Sequence, residues 1–281
     1  MLITKADGEQ EEFKSEKLER SLRNAGAEEK MIDYIVRHVV LELKPEMTTS
    51  EIYKHAFEIL KKEGQKPVAA RYSLKRAVLE LGPSGFPFES FLAEIFRSKG
   101  YKAETDITIF GKCASHEIDV VAEKENELLI IEAKFHNALG ARSDLQVALY
   151  VRARYDDLLA NKFDGRLKAS QKHRCSIFTN TSFTTNAYQY GECAGLEMTS
   201  WSRPGRGSLV KLIEETALHP LTALTTLSGG EKKSLLGTGR VLCRDIKDNS
   251  SLLKEAGIGG QKFDMVMDEI NKICVPFFGA S

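Results

Sequence analysis

Residues 115–136, SHEIDVVAEKENELLIIEAKFH, contain two runs apolar enough to be buried strands, and both runs carry charge. Burying an ion is costly unless it is paired or holds a metal. A sheet that accepts Asp119, Glu132 and Lys134 must therefore gather them at one place. Alternate residues of a strand share a face, so Glu132 and Lys134 lie on one side, with His136 beside them if the strand runs on. The short polar connection EKENE makes the two runs a hairpin, and Asp119 then lies across from Glu132 and Lys134. Two converging carboxylates suit a hard divalent cation, usually Mg²⁺ keeping several waters. An adjacent lysine can orient a water or stabilise charge developing on a phosphate. This inventory suits metal-dependent hydrolysis of a phosphodiester. The competing reading is a salt-bridged hairpin in which Lys134 neutralises both acids, but an isolated surface hairpin would not need LLII. His116 and His136, near the strand ends, read as hydrogen-bonded neighbours rather than ligands.

The periodicity divides the chain into three segments. Residues 1–86 open with a hairpin, LITKADGEQEEF, whose DG marks the turn. Helical spacing then places Ile32, Ile35, Val36, Val39, Val40 and Leu43 on one face. Thr48 and Glu51 have capping-box spacing, and Gly64 marks a stop. PVAARYSLKRAVLEL predicts one more helix, with proline in its first turn, and GPSGFP then marks a boundary. In residues 87–206 an amphipathic helix, FESFLAEIFRSKG, precedes the strands DITIF, EIDVV and ELLIIEAKF. A helix (DLQVALYVRARYDDLL), a strand (CSIFTN), a helix and a strand (LEMTSW) follow. The order predicts an α/β class with a central mixed sheet flanked by helices. Residues 207–281 read as short helices separated by SGG, GTG and GIGG.

The stretch EIDVVAEKENELLIIEAKF resembles the core of PD-(D/E)xK nucleases, in particular the Mrr-like restriction endonucleases. FESFLAEIFRSKGY resembles the first helix of that group, with Glu89 at its glutamate position, although Glu94 lies on the same helix. QVALY is similar to the group's QxxxY motif through Gln146 and Tyr150, and IFTNTSFTTNAYQYGECAGLEM to its closing strand, helix and strand. The resemblance implies a restriction-endonuclease-like fold in which Asp119 and Glu132 bind Mg²⁺ or Mn²⁺ and Lys134 assists the attacking water. Gln146, Tyr150 and Glu89 would face the same pocket. Ile118 stands where the group's motif has proline.

Residues 1–82 resemble an ATP-cone, a small, mostly helical nucleotide-binding domain of ribonucleotide reductases and related regulators. The likeness runs from ITKADGEQEEFKSEKLERSLRNAGA through MTTSEIYKHAFEIL to AARYSLKRAVLEL. It implies that ATP or dATP acts as an effector, with Lys5 and Lys17 meeting phosphates and Glu11 and Thr49 near the nucleotide. Ala6 replaces a common arginine, which bears on the choice between ATP and dATP. Hydrolysis is not implied, because the chain has no G-x-x-x-x-G-K-[ST] loop.

LSGGEKKSLL at 227–236 is similar to the signature loop of ABC transporters. That loop works only opposite a phosphate-binding loop, so Gly229 and Gly230 read as a turn before a helix. LLKEAGIGGQKFDMVMDEI resembles a helix-hairpin-helix, whose backbone can hold a DNA phosphate. The basic run NKFDGRLKASQKHR is a second candidate DNA contact.

Forty basic and forty acidic residues cancel, so net charge gives no support to nucleic-acid binding. Five dispersed cysteines without a CxxC pair argue against a disulfide framework and a zinc site. No apolar run approaches membrane-spanning length, and a cytoplasmic location with no membrane partner is expected. The expected function is a metal-dependent DNA endonuclease regulated by ATP or dATP. The alternative is a catalytically silent, nucleotide-responsive DNA-binding protein on a nuclease scaffold. Two cuts in a duplex suggest a homodimer.

Overall fold

The computed structural model describes residues 1–168 and 171–274. The described residues divide into two compact units: 1–78, 138–140 and 219–274 in one, and those of 79–137 and 141–218 in the other. The C-terminal helices share a unit with the N-terminal ones.

The first unit opens with the antiparallel hairpin β1 (Leu2–Thr4) and β2 (Gln10–Glu12). Gly8 takes a positive φ of 86° in its turn, a conformation glycine adopts without steric cost. Five helices follow: α1 (Ser15–Asn24), α2 (Glu29–Glu42), α3 (Thr49–Lys62), α4 (Lys66–Tyr72) and α5 (Leu74–Leu79). Ile3, Leu18, Leu22, Ile32, Ile35, Val39, Ile52, Ala56 and Leu60 form their shared core. Of the apolar face predicted for α2, Val40 is 48% exposed. It lies about 100° around the helix from Val39, at the rim of the buried arc. The capping box at α3 is complete: the Thr48 hydroxyl accepts the Glu51 N–H, and the Glu51 carboxylate accepts the Thr48 N–H. The single helix expected at 67–81 is two, α4 and α5. Between them, the buried Ser73 hydroxyl donates to the Ala70 carbonyl at 3.0 Å, a local bond that competes with regular helix.

The second unit runs α6 (Phe86–Ser98), β3 (Lys102–Phe110), β4 (Ser115–Lys124), β5 (Glu127–Lys134), β6 (Arg142–Ser143), α7 (Leu145–Ala160), β7 (Lys172–Thr179), β8 (Ser182–Phe183), α8 (Thr185–Cys193), β9 (Glu197–Thr199) and α9 (Leu209–Thr216). Its five-stranded mixed sheet has the order β3-β4-β5-β7-β9. The first three strands are antiparallel, and β7 and β9 continue parallel to β5. Leu128 and Ile130 of β5 join Ala148, Val151 and Tyr155 of α7 in one core. Alternation along β5 then places Glu132 and Lys134 on the α7 side. Phe88, Phe91, Leu92 and Ile95 of α6 are fully buried.

After α9 come a 3-10 turn at Leu221–Ala223 and the helices α10 (Gly229–Leu236), α11 (Cys243–Asp248), α12 (Ser251–Glu255) and α13 (Gly260–Ile273). Gly229 and Gly230 begin α10 itself, capped by Ser228. Leu224, Leu235, Ile246, Leu253, Ile258, Val266 and Ile270 form one core with Ala70 of α4. Thr222 Oγ1 donates to the Ala77 carbonyl at 2.5 Å. The buried Glu269 carboxylate accepts the Thr225 N–H (2.7 Å), the Thr225 hydroxyl (2.7 Å) and the Thr226 N–H (3.0 Å). No helix among the described residues is long and apolar enough to cross a membrane.

Candidate active site

The β4–β5 ladder pairs Val121 with Ile130 and Val120 with Ile131. One step further in that register brings Asp119 level with Glu132. There the regular ladder stops, and the Ala133 N–H donates instead to Asp119 Oδ2 at 2.6 Å. β5 continues beside β7, with Glu132 opposite Ile177 and Lys134 opposite Thr179. Strand pairing alone therefore delivers Asp119, Glu132 and Lys134 to one end of the sheet.

Glu132 is only 5% exposed, and three donors meet its carboxylate. Lys134 Nζ lies 3.1 Å from Oε1, the Tyr150 hydroxyl donates to the same oxygen, and Arg154 Nη1 donates to Oε2 at 2.6 Å. The Tyr150 ring lies near both cations, 5.3 Å from Lys134 Nζ and 5.0 Å from Arg154 Cζ, within cation–π range. Burial, followed by the charge of Glu132, pushes the Asp119 carboxyl up to about 6. Burial also pushes Glu89 up to about 7, reinforced by Asp119, Asp106, Glu117 and Glu132. Acids that raise one another's proton affinity also favour a cation between them.

The donor set is hard oxygen. Among the described residues no three His, Cys, Asp or Glu side chains form a ready-made metal cage. Asp119 and Glu132 would leave the remaining coordination to water and substrate, as suits Mg²⁺.

Of the remaining expected residues, Tyr150 reaches the site, and Glu89 enters it through its charge. Glu94 pairs instead with Arg97 at 2.5 Å. Gln146 is exposed one turn before Tyr150, and its backbone N–H donates to the Asp144 cap at 3.0 Å. Arg154 escaped the sequence reading, although it extends the spacing of Gln146 and Tyr150 by another four residues. Asp106 and Glu117 escaped it too. Asp106 has φ 56° inside β3, and its bond to Glu117 raises the Glu117 carboxyl.

Both histidines are hydrogen-bonded. His116 Nε2 lies 2.7 Å from Asp157 Oδ2. Asp157 also accepts the Cys113 N–H (2.8 Å) and the Ala114 N–H (3.2 Å), and with His116 as the largest cause its carboxyl is held down to about 2. His136 Nε2 lies 2.9 Å from Ser143 Oγ, and the buried Asn180 amide bonds both backbone polar groups of His136 at 2.8 Å. The basic run at 161–174 includes residues 169 and 170, which lie outside the described residues. Its Arg166 pairs with Glu104 at 3.3 Å and its Lys168 with Glu123 at 2.5 Å. These pairs sit near the β4–β5 turn, at the opposite end of the strands from Glu132.

In the first unit, the Thr4 N–H donates to the Met47 carbonyl at 3.0 Å and Thr4 bridges to Thr48. The hairpin therefore lies beside the start of α3, where Thr49 is the first residue. Lys5 pairs with Glu9, and Lys17 pairs with Glu11 at 2.7 Å. Lys5 and Glu11 also interact through their charges.

Three family models match successive stretches of the chain: an ATP cone domain over residues 1–79, a restriction endonuclease over 82–218, and AF1548-like, C-terminal over 219–274. An uncharacterized protein of Archaeoglobus fulgidus is 32% identical over 186 residues, covering 65% of this chain and 99% of that protein. The crystal structure of a protein of unknown function, AF1548, shares 30% identity and a TM-score of 0.54, covering 68% of this chain and 98% of that one.

Proposed function

Because the chain belongs to the AF1548-like family and joins an ATP cone to an Mrr-type restriction-endonuclease domain, we propose that it is a metal-dependent DNA endonuclease whose cutting responds to ATP or dATP on the cone. The observation that carries the reading is the meeting of Asp119 and Glu132 where their hairpin ladder ends, with Lys134 Nζ 3.1 Å from Glu132 Oε1. Asp119 and Glu132 would hold Mg²⁺ or Mn²⁺, which when bound polarises a phosphoryl oxygen and acidifies water. Lys134 would exchange Glu132 for the attacking water or a phosphate oxygen. Tyr150 steadies Glu132, Gln146 lies toward solvent on the same helix, and Glu89 adds negative charge and a titratable proton near neutral pH.

On the cone, Lys5 and Lys17 would turn from Glu9 and Glu11 to nucleotide phosphates, with Glu11 and Thr49 beside the nucleotide. Exposed ion pairs of this kind are weak and exchange partners at little cost. A homodimer would supply the two sites needed to cut both strands of a duplex.

Plasmid cleavage with Mg²⁺ or Mn²⁺, with and without ATP or dATP, tests the reading when wild type is compared with Lys134→Ala. Metal-dependent cutting that the variant loses supports it. DNA binding without cleavage of methylated, unmethylated or branched DNA would replace it with a nucleotide-responsive DNA-binding protein on a nuclease scaffold.

A further inference from the structure

Arg154 ties together the two strands that bring Asp119 and Glu132 to the site. Its Nη1 donates to Glu132 Oε2 at 2.6 Å on β5 and to the Glu117 carbonyl at 3.2 Å on β4, two residues before Asp119. The bond to Glu117 falls on the main chain, so it fixes the strand rather than a mobile side chain. The guanidinium is held in turn over the Tyr150 ring, 5.0 Å from its centroid. Its side chain is 22% exposed, against 6% for Glu132. The charge-assisted bond therefore lies in a partly dry place, where such bonds are strong.

The three donors on Glu132 are divided two to one between its oxygens. Lys134 and Tyr150 both address Oε1, and Arg154 addresses Oε2. We propose that Arg154 is the positioning residue of the site: it holds Glu132 Oε2 and the β4 backbone, and so fixes the orientation of the carboxylate that would hold a divalent cation. This rests on the nuclease reading above and deepens it. On this account Lys134, whose single contact to Oε1 can exchange, is the mobile cation, and Arg154, bonded to both strands, is the fixed one. Without Arg154 the buried carboxylate can rotate and present both oxygens. Asp119 and Glu132 would then still hold a metal, but with the Glu132 carboxylate poorly oriented for reaction.

The test combines three variants with a readout independent of cleavage. Mn²⁺ binding is measured by the loss of the free-ion EPR signal, cleavage is measured at saturating Mn²⁺, and folding is followed by thermal melting. For Arg154→Ala the expected result is an Mn²⁺ Kd within a few-fold of wild type and turnover at saturating Mn²⁺ lower by about 100-fold, the scale of a misplaced reacting group. Arg154→Lys, which keeps one charged donor for Oε2, should recover at least about a tenth of wild-type turnover. Arg154→Gln, which keeps a donor without charge, should fall between them, and these two variants decide the matter if the alanine variant does not fold.

Wild-type turnover in all folded variants would overturn the assignment. So would a loss that follows the folded fraction alone, or equal losses in the lysine and alanine variants. If wild type binds Mn²⁺ but cuts no DNA, the nuclease reading fails. Arg154 is then judged by Mn²⁺ binding, where an EPR spectrum of the bound ion identical in wild type and Arg154→Ala would overturn its role at the metal.

Discussion

Glu132 is a nearly sealed carboxylate with its donors divided between its two oxygens, so removing different donors should have different effects. Lys134→Ala is expected to lower metal-dependent cleavage about 100- to 1,000-fold, the range for losing one group that stabilises developing charge. DNA binding, measured by gel shift, should survive. Proton linkage gives a second prediction. The carboxyls of Asp119 and Glu89 are raised from 3.8 to about 6 and from 4.5 to about 7, so between about pH 4 and 7 the folded chain binds more protons than the unfolded one. Stability from these groups is full below the unfolded values and is lost as pH rises through the folded ones. A melting series without metal should therefore fall from pH 5 to pH 7.5. Mg²⁺ should restore more at pH 7.5 than at pH 5, and Glu89→Gln should flatten the upper part of the slope. Asp119, Glu132 and Lys134 were legible because charge inside an apolar strand pattern is anomalous. Arg154 was not, because an arginine in a charged helix reads as a solvated side chain until the fold shows what faces it. Asp106 was hidden for a different reason: its left-handed backbone inside a strand leaves no mark in the sequence.

Helices and strands were recovered from periodicity where one face is buried, and lost where local bonding intervenes. The Thr48–Glu51 cap follows from spacing, because both partners lie within one turn. The division at Ser73 does not, because it depends on whether a hydroxyl bonds back to the Ala70 carbonyl. Glu269 is the clearest case of an element fixed by a residue with no sequence signal. In the sequence it sits among polar neighbours on α13, yet it is 1% exposed and accepts three hydrogen bonds from Thr225 and Thr226. Glu269→Ala leaves two backbone N–H groups without their acceptor and is expected to cost about 2–3 kcal/mol, the scale of buried polar groups left unpaired. Glu269→Gln, which keeps one acceptor oxygen, should cost less, and urea unfolding followed by circular dichroism would rank the two.

At the scale of the molecule, sequence reading recognised the nuclease and cone segments and a helical C-terminal region, but not which of them share a core. Pairing between distant stretches of chain has no local pattern, and Ala70, a small residue on a short helix, gives no hint that Leu224 and Val266 will join its core. Truncation after residue 218 should expose that side of α4 and drop the Thr222–Ala77 bond. Calorimetry is expected to show the transition of the first unit at lower temperature and that of the sheet-containing unit unchanged. The same arrangement sets an order of events during synthesis. The nuclease segment is synthesised and emerges ahead of residues 219–274, and domains generally fold as they emerge. The sheet-containing unit can therefore be finished first, while the unit that carries the ATP cone waits for its last helices, so every newly made molecule passes through a period in which the two are unequally complete.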